Sequence, residues 1–439
     1  MKRPGRTVST KPIPLEIEKL VYGGAGLARS EGVTYFVPFV LAGETIQARP
    51  LERKKNFVRA AVAEIERPAP GRVAAPCPYF TVCGGCQYQH IGYEGQLEAK
   101  REILRETLGR LGGVNWDGPI PVHASPPFGY RNRAQWKVRP AKNAAGETAS
   151  GPLALGYFRA GSNNFCAVDQ CALLAPPLAE ALGALRAKLG SGRWPATMRE
   201  IEVFAEPEAS LLVNVSFPTL PDAPRRVAGR LREALPSVRS VLLRETAGER
   251  MELDGPGYLD YAVGPARYRV GHMSFFQVNR FLLEEMSRTV TEGLAGGLAL
   301  DLYAGVGLFS VPLGSRFERV VAVEADPAAA RDLELNLKAA GVAGQAVNAE
   351  AGTFLESSKE QPDLVILDPP RAGVQPEVLQ SVVRLKPRQI TYVSCDPATL
   401  ARDLKEFSAA GYRISALDLF DVFPQTFHIE TLVQLTPEP

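Results

Sequence analysis

The chain has 439 residues, is 45% hydrophobic and 22% charged, and carries a formal net charge of +2. That length and composition suit a soluble globular protein of about three domains. The start MKRPGRTVST is basic with no apolar run behind it, so it is not expected to be a signal peptide. The most membrane-like stretch, residues 294–313, contains Asp301 and several glycines, so it reads as a buried strand with its turn and the protein is expected in the cytoplasm.

Charge is unevenly spread. Residues 1–140 hold 21 Lys/Arg against 12 Asp/Glu, and the remainder 29 against 36. A basic front joined to an acidic back points to a polyanion as partner of the front. Residues 1–10 read as a flexible basic tail. Over residues 13–67, short alternating runs are broken by glycine turns such as Tyr22-Gly23-Gly24-Ala25-Gly26, the pattern of a small β-barrel. Its basic loop Arg53-Lys54-Lys55-Asn56-Phe57 offers cations beside an aromatic, as single-stranded RNA binding needs.

A Pro/Ala/Gly-rich linker, residues 68–78, leads to clustered cysteines at 77, 83 and 86, and a helix is predicted over 93–111. The others are Cys166, Cys171 and Cys395. In a cytoplasmic protein such clustering favours metal binding or catalysis over disulfides. Residues 119–265 alternate strands and helices. Within them, Tyr130-Arg131-Asn132-Arg133-Ala134-Gln135-Trp136-Lys137 sets Arg131, Arg133 and Lys137 on one strand face, a candidate phosphate contact. From Phe275, apolar runs at 298–303, 320–324, 364–367, 390–394 and 415–420 alternate with helical stretches, the pattern of a doubly wound parallel sheet.

The first of these strands ends in Ala304-Gly305-Val306-Gly307, a tight turn that lets a ligand approach the backbone at a helix start. Glu324 ends the next strand, 23 residues after Asp301, where an acid accepts from ribose hydroxyls. The third glycine of a dinucleotide fingerprint is missing, and so is the Lys-Ser/Thr of a triphosphate loop. Asp301, placed to accept from a cationic amino end, and the loop Asp368-Pro369-Pro370 favour S-adenosylmethionine; NAD is the alternative.

The reacting group follows from what the Pro-Pro loop lacks. Amino-group methylases place an aromatic after Pro-Pro, where this chain has Arg371; RNA cytosine carbon-5 enzymes place a cysteine in the loop, and there is none. Cys395 instead ends a neighbouring strand, in Ser394-Cys395-Asp396-Pro397. Carbon 5 of uracil becomes nucleophilic once a thiolate adds at carbon 6, and Cys395 is the candidate for that addition on a base taken out of its stack. A base must then remove the carbon-5 proton. Glu430, in Phe427-His428-Ile429-Glu430, is the candidate, with His428 as the alternative.

These residues, together with Cys77-x5-Cys83-Gly84-Gly85-Cys86-Gln87, Tyr130-Arg131-Asn132, Gly156-Tyr157-Phe158, Val168-Asp169-Gln170-Cys171, Ser274-Phe275-Phe276-Gln277-Val278-Asn279 and Asp368-Pro369-Pro370-Arg371-Ala372-Gly373, occur in the order of a known family. The chain resembles the bacterial RNA uridine carbon-5 methyltransferases that carry an iron–sulfur cluster and an N-terminal TRAM domain. The resemblance implies an α/β protein: a TRAM-like barrel over 1–70, a cysteine cluster with its helix over 71–118, a mixed α/β domain over 119–265 and a Rossmann-like methyltransferase domain over 266–439. It implies Cys395 as nucleophile and Glu430 as base. Gln277, Tyr303, Glu324, Asn348 and Asp368 would contact S-adenosylmethionine or the target uracil. Leu308 stands where relatives often have a polar residue. Cys77, Cys83, Cys86 and Cys171 would hold a metal group. Four thiolates suit zinc or iron–sulfur by spacing, and the resemblance favours 4Fe–4S, with Cys166 to spare. The implied substrate is RNA, ribosomal above transfer RNA, and the expected state is a monomer.

Overall fold

The computed structural model describes residues 11–142, 148–190, 194–208, 210–293 and 295–438. The predicted basic tail and Leu294 lie outside them. Alternation near the start builds a curled six-stranded sheet, in the order Ile13–Glu16, Thr45–Arg53, Phe57–Arg67, Val33–Pro38, Ala25–Ser30 and Lys19–Leu20. Leu15, Ala28, Val37, Ile46 and Ala48 point inward and form its core. Glu31 and Gly32, with φ of 49° and 75°, supply the left-handed pair that a two-residue hairpin needs.

The predicted helix forms at Tyr93–Thr107 and widens into a π turn at Leu108–Gly112. Its Ile103, Leu104 and Leu108 join the core of the C-terminal sheet. A Cβ on Gly112 would lie 2.6 Å from the Ala401 carbonyl oxygen, so only glycine allows this approach to the helix Pro397–Ala409.

A seven-stranded sheet follows, ordered Phe165–Ala167, Thr148–Phe158, Arg133–Lys142, Glu200–Ala205, Leu211–Phe217, Val238–Glu245 and Met251–Asp254. Trp136, Ile201, Val203, Val213 and Val215 face one side and pack with the helices Pro176–Leu189 and Pro224–Ala234. A hairpin, Tyr258–Val263 with Ala266–Gly271, spans residues 265 and 266 and packs into the core of the last sheet.

That last sheet has eight strands: Gly344–Asn348, Phe317–Glu324, Gly296–Leu302, Leu364–Leu367, Gln389–Ser394, Glu430–Pro437, Tyr412–Phe420 and Val122–His123. The first five are parallel neighbours, as the Rossmann-like expectation requires. The sheet is not parallel throughout. Only a loop separates Tyr412–Phe420 from Glu430–Pro437, and without a crossover helix the chain must return antiparallel. The last strand therefore inserts antiparallel beside Gln389–Ser394, pairing Thr431 with Ser394. Glu430, at the start of one strand, thus meets the edge where Cys395 ends the other.

Candidate active site

The carboxyl ends of the parallel strands open into a cavity of about 1130 Å³, the place where doubly wound sheets bind ligands. Its walls include Gln277, Tyr303, Glu324, Asp368, Cys395 and Glu430. Six chain segments that the sequence singled out separately thus meet in one cavity.

One half is built around the glycine turn. Tyr303, Gly305 and Gly307 have φ of 64°, 56° and 92°. For tyrosine this is a strained conformation, of the kind that collects at ligand sites. Glu324 is anchored by its backbone neighbours, since its carboxylate accepts from the amides of Gly305 and Asp326, each at 2.8 Å. Asp301 does not reach the cavity. It is buried beneath the turn, where the Ser310 hydroxyl donates to it, and burial, with the Glu324 charge adding, pushes its pKa up to about 7. The expected contact of Asp301 with the amino end of a cofactor is therefore replaced by a supporting role under the loop. Asn348 also stands outside the cavity lining; its amide donates to the carbonyls of Glu324 and Ala325 at 2.9 and 3.0 Å, holding the end of that strand.

The other half holds the thiol and two carboxyls. Asp396 caps the helix Pro397–Ala409, accepting from Ala398 and Thr399 amides at 2.9 and 3.0 Å, and so fixes the turn that carries Cys395. The Tyr22 hydroxyl, from the N-terminal sheet, donates to the same Asp396 at 3.2 Å. Burial pushes the Cys395 thiol up to about 11, helped by Glu430 and Asp368 and opposed by Arg371. Asp368 rises to about 7 through burial and the Asp301 and Glu324 charges. Glu430 is 4% exposed, and burial and then Asp368 hold its carboxyl well above the usual range against the pull of Arg371. The site is thus crowded with acids that resist ionising together, with Arg371 as the counter-charge. Burial pushes His428 down to about 4, so at neutral pH its imidazole is uncharged, packed against Phe427 at 4.3 Å between ring centres.

The cavity also includes residues not singled out individually from sequence, Phe275, 61% exposed, and Phe423, beside Arg371 of the Pro-Pro loop.

The expected phosphate-contact face at 131–137 is instead the frame of this cavity. The Tyr130 hydroxyl donates to the Pro424 carbonyl at 3.1 Å, and the Asn132 amide to the Gln277 carbonyl at 3.0 Å. Arg133 donates to the Ser274 carbonyl at 3.0 Å and lies over the Phe204 ring, while Lys137 pairs with Glu200. Below the same loops, Lys100 and Asp421 form a fully buried ion pair at 2.5 Å. Removing one partner strands the other, so Lys100→Met is expected to lower stability by about 3–5 kcal/mol in urea unfolding, and adding Asp421→Leu to recover most of it.

The clustered cysteines lie away from the cavity. Cys83 feels the charges of Cys166, Cys171 and Cys77, and Cys86 those of Cys171, Cys83 and Cys77, so these thiols lie near one another although Cys166 and Cys171 come from a distant segment. Burial pushes Cys83 and Cys86 up to about 11 and about 12. Cys166 is buried in the central core. Among the described residues no three ligating side chains gather tightly enough for a single metal ion. No described helix is long and apolar enough to cross a membrane.

A Rossmann-like sheet with an acid-anchored glycine turn and a Pro-Pro loop defines the class as an S-adenosylmethionine-dependent transferase. Residues 352–438 match the tRNA (Uracil-5-)-methyltransferase family. The chain is 33% identical to the 23S rRNA (uracil(1939)-C(5))-methyltransferase RlmD of Pseudomonas putida, covering 95% of this chain and 92% of that one. It is also 33% identical to an uncharacterized RNA methyltransferase of Aquifex aeolicus, over 97% and 98%. Among solved structures, the Pyrococcus abyssi tRNA (uracil-54, C5)-methyltransferase in complex with S-adenosyl-L-homocysteine superposes with a TM-score of 0.75 at 25% identity, over 96% and 99% of the two chains. The chain belongs to the RNA uracil-5-methyltransferase family, and its reaction is S-adenosylmethionine-dependent methylation of uracil carbon 5.

Proposed function

We propose that the protein methylates a uridine of 23S ribosomal RNA through a covalent bond between Cys395 and the base. The observation that carries this is the convergence of Cys395 and Glu430, on antiparallel neighbours, at the cavity that also holds Glu324 and Asp368. Gln277, Tyr303, Glu324 and Asp368 line the space for the cofactor and base, and Asn348 acts on it through the Glu324 backbone. Bound S-adenosylmethionine supplies the methyl group for carbon 5. Cys395 Sγ bonds to carbon 6, its proton leaving to solvent, and the electron pair of the carbon 5–carbon 6 double bond moves to carbon 5 and its carbonyl. After the methyl group arrives, Glu430 takes the carbon-5 proton, the double bond re-forms, and the sulfur leaves as thiolate. The exposed Phe275 at the mouth offers a face for a base taken out of the stack.

The ribosomal reading rests on the relatives named for 23S rRNA across nearly the whole chain. The test is labelled S-adenosylmethionine with unmodified 23S rRNA and unmodified transfer RNA transcripts. Label is expected as 5-methyluridine in the ribosomal RNA; label in transfer RNA alone overturns the assignment. The N-terminal sheet, basic at residues 53–55, is read as a TRAM-like RNA-binding domain within the division 1–70, 71–118, 119–265 and 266–439.

Cys77, Cys83, Cys86 and Cys171 would hold a 4Fe–4S cluster. What supports this reading is the mutual proximity of thiols from two distant segments. A cluster there would supply a rigid cross-link between two loops. Protein purified without oxygen is expected to be brown and to contain iron and acid-labile sulfide; a colourless zinc protein overturns this.

A further inference from the structure

A second pocket, about 130 Å³, lies on the central sheet beside the cavity, and Met273 lines both. Its floor follows from strand register. Glu200 pairs across to Ser216, and Ser216 to Arg244; two residues along, Glu202 pairs to Asn214. These side chains share the face opposite the apolar core. Arg133 stands on the same face, two residues from Gln135, the partner of Glu202.

The polar groups here are unevenly satisfied. The Arg244 side chain makes no ion pair or hydrogen bond among the described residues. The buried Arg133 Nε has no partner, and the nearest Glu202 oxygen is 3.8 Å from another of its nitrogens. Glu200 is taken up by Lys137 and Gln135. One Glu202 oxygen accepts from Asn214, leaving acceptor capacity on the other. The Asn214 side chain is also bonded to His272, which is bonded in turn to Ser240, so the wall is stiff. Unused cationic donors beside an available carboxylate call for a ligand with acceptors and donors on adjoining edges. Phosphate has only acceptors and would face Glu200 and Glu202. At about 130 Å³ the pocket is close to the ~150 Å³ that holds a benzene-sized ring, so it takes one edge of a planar base rather than the whole base.

The geometry points to a subsite for a second unstacked nucleobase of the same RNA, a guanine. Arg244 and Arg133 donate to its O6 and N7, and Glu202 accepts from its N1 and N2 groups. The strand would run over the exposed Met273 and Phe275 between the two bases. This rests on reading the cavity as the uridine site, and it adds a reason why one uridine is chosen over others.

The test is selection of short RNAs with one central uridine and randomised flanks, by filter retention on protein saturated with S-adenosylhomocysteine. Wild type should enrich guanosine at one fixed offset from the uridine, roughly ten-fold, in the range a good bidentate contact gives. Arg244→Ala should flatten that preference while S-adenosylhomocysteine affinity stays unchanged, which reports an intact fold. Glu202→Gln should weaken the preference as well. No fixed-offset enrichment, enrichment of another base, or equal guanosine enrichment in wild type and Arg244→Ala overturns the subsite. Retention needs no covalent step. A failure of covalent trapping with 5-fluorouridine RNA would therefore count against Cys395 chemistry alone.

Discussion

Cys395→Ala is expected to abolish methyl transfer, by roughly 10⁴-fold or more, the scale on which losing a catalytic nucleophile acts. S-adenosylhomocysteine affinity should stay within about two-fold, because the acid-anchored turn at Glu324 lies in the other half of the cavity. The same thiol sets a pH dependence. The active form is the thiolate, and in the free protein burial with Glu430 and Asp368 holds the pKa up to about 11. At neutral pH nearly all of the protein is therefore protonated at Cys395. Raising the pH increases the active fraction about ten-fold per unit while the pH stays well below that value, so kcat/KM should climb steadily from pH 6.5 to 9. Arg371 is the group that opposes the rise, and Arg371→Ala should lower kcat/KM throughout that range. Single-turnover assays on unmodified RNA give both results. Full turnover by Cys395→Ala, or a flat profile, would show that another group attacks the base.

Much of this site was legible because its chemistry sits at strand ends. Apolar runs ending in Asp301-Leu302-Tyr303, Glu324, Asp368 and Cys395 placed each residue at the same sheet edge before any contact was known. The rest was hidden. Periodicity does not tell a buried support from a ligand contact, so Asp301 and Asn348 read as cofactor groups although one lies beneath the turn and the other braces the Glu324 strand. The strand Gly344–Asn348 was likewise invisible, being a short, largely exposed edge with little apolar signal. Nor does alternation of charge along a strand reveal what stands opposite. The cations at 131, 133 and 137 looked like a phosphate face, yet Arg131 lies over Phe423, Lys137 is paired with Glu200, and one Arg133 nitrogen is bonded to the Ser274 carbonyl, which leaves only part of Arg133 for a ligand. The antiparallel last strand could be inferred from the short return after Phe420, but its register, which sets Glu430 beside Cys395, comes only from packing.

Glu430→Gln should separate the two halves of the reaction. Attack at carbon 6 and methyl transfer need the thiolate and the cofactor, not a proton acceptor at residue 430. Elimination needs the carbon-5 proton removed, and an amide does not take it. The variant should therefore form methylated RNA still bonded to Cys395, seen as a protein–RNA band that survives denaturing electrophoresis and disappears when Cys395→Ala is added. Substitution also removes a buried carboxyl that raises the Cys395 pKa, so attack should be no slower than in wild type, and adduct should build up in a burst before turnover stalls. His428 predicts a different result. Burial holds it neutral with its pKa near 4, and a neutral imidazole is able to accept a proton. Were it the base, Glu430→Gln would release product at close to the normal rate, and His428→Gln would trap the adduct instead. Glu430 is favoured over His428 because it begins the strand that pairs with the one ending beside Cys395, and its charge acts on that thiol. His428 lies two residues earlier, against Phe423 and Phe427. Trapped RNA in Glu430→Gln and free product in His428→Gln would settle the assignment on the side of the carboxylate.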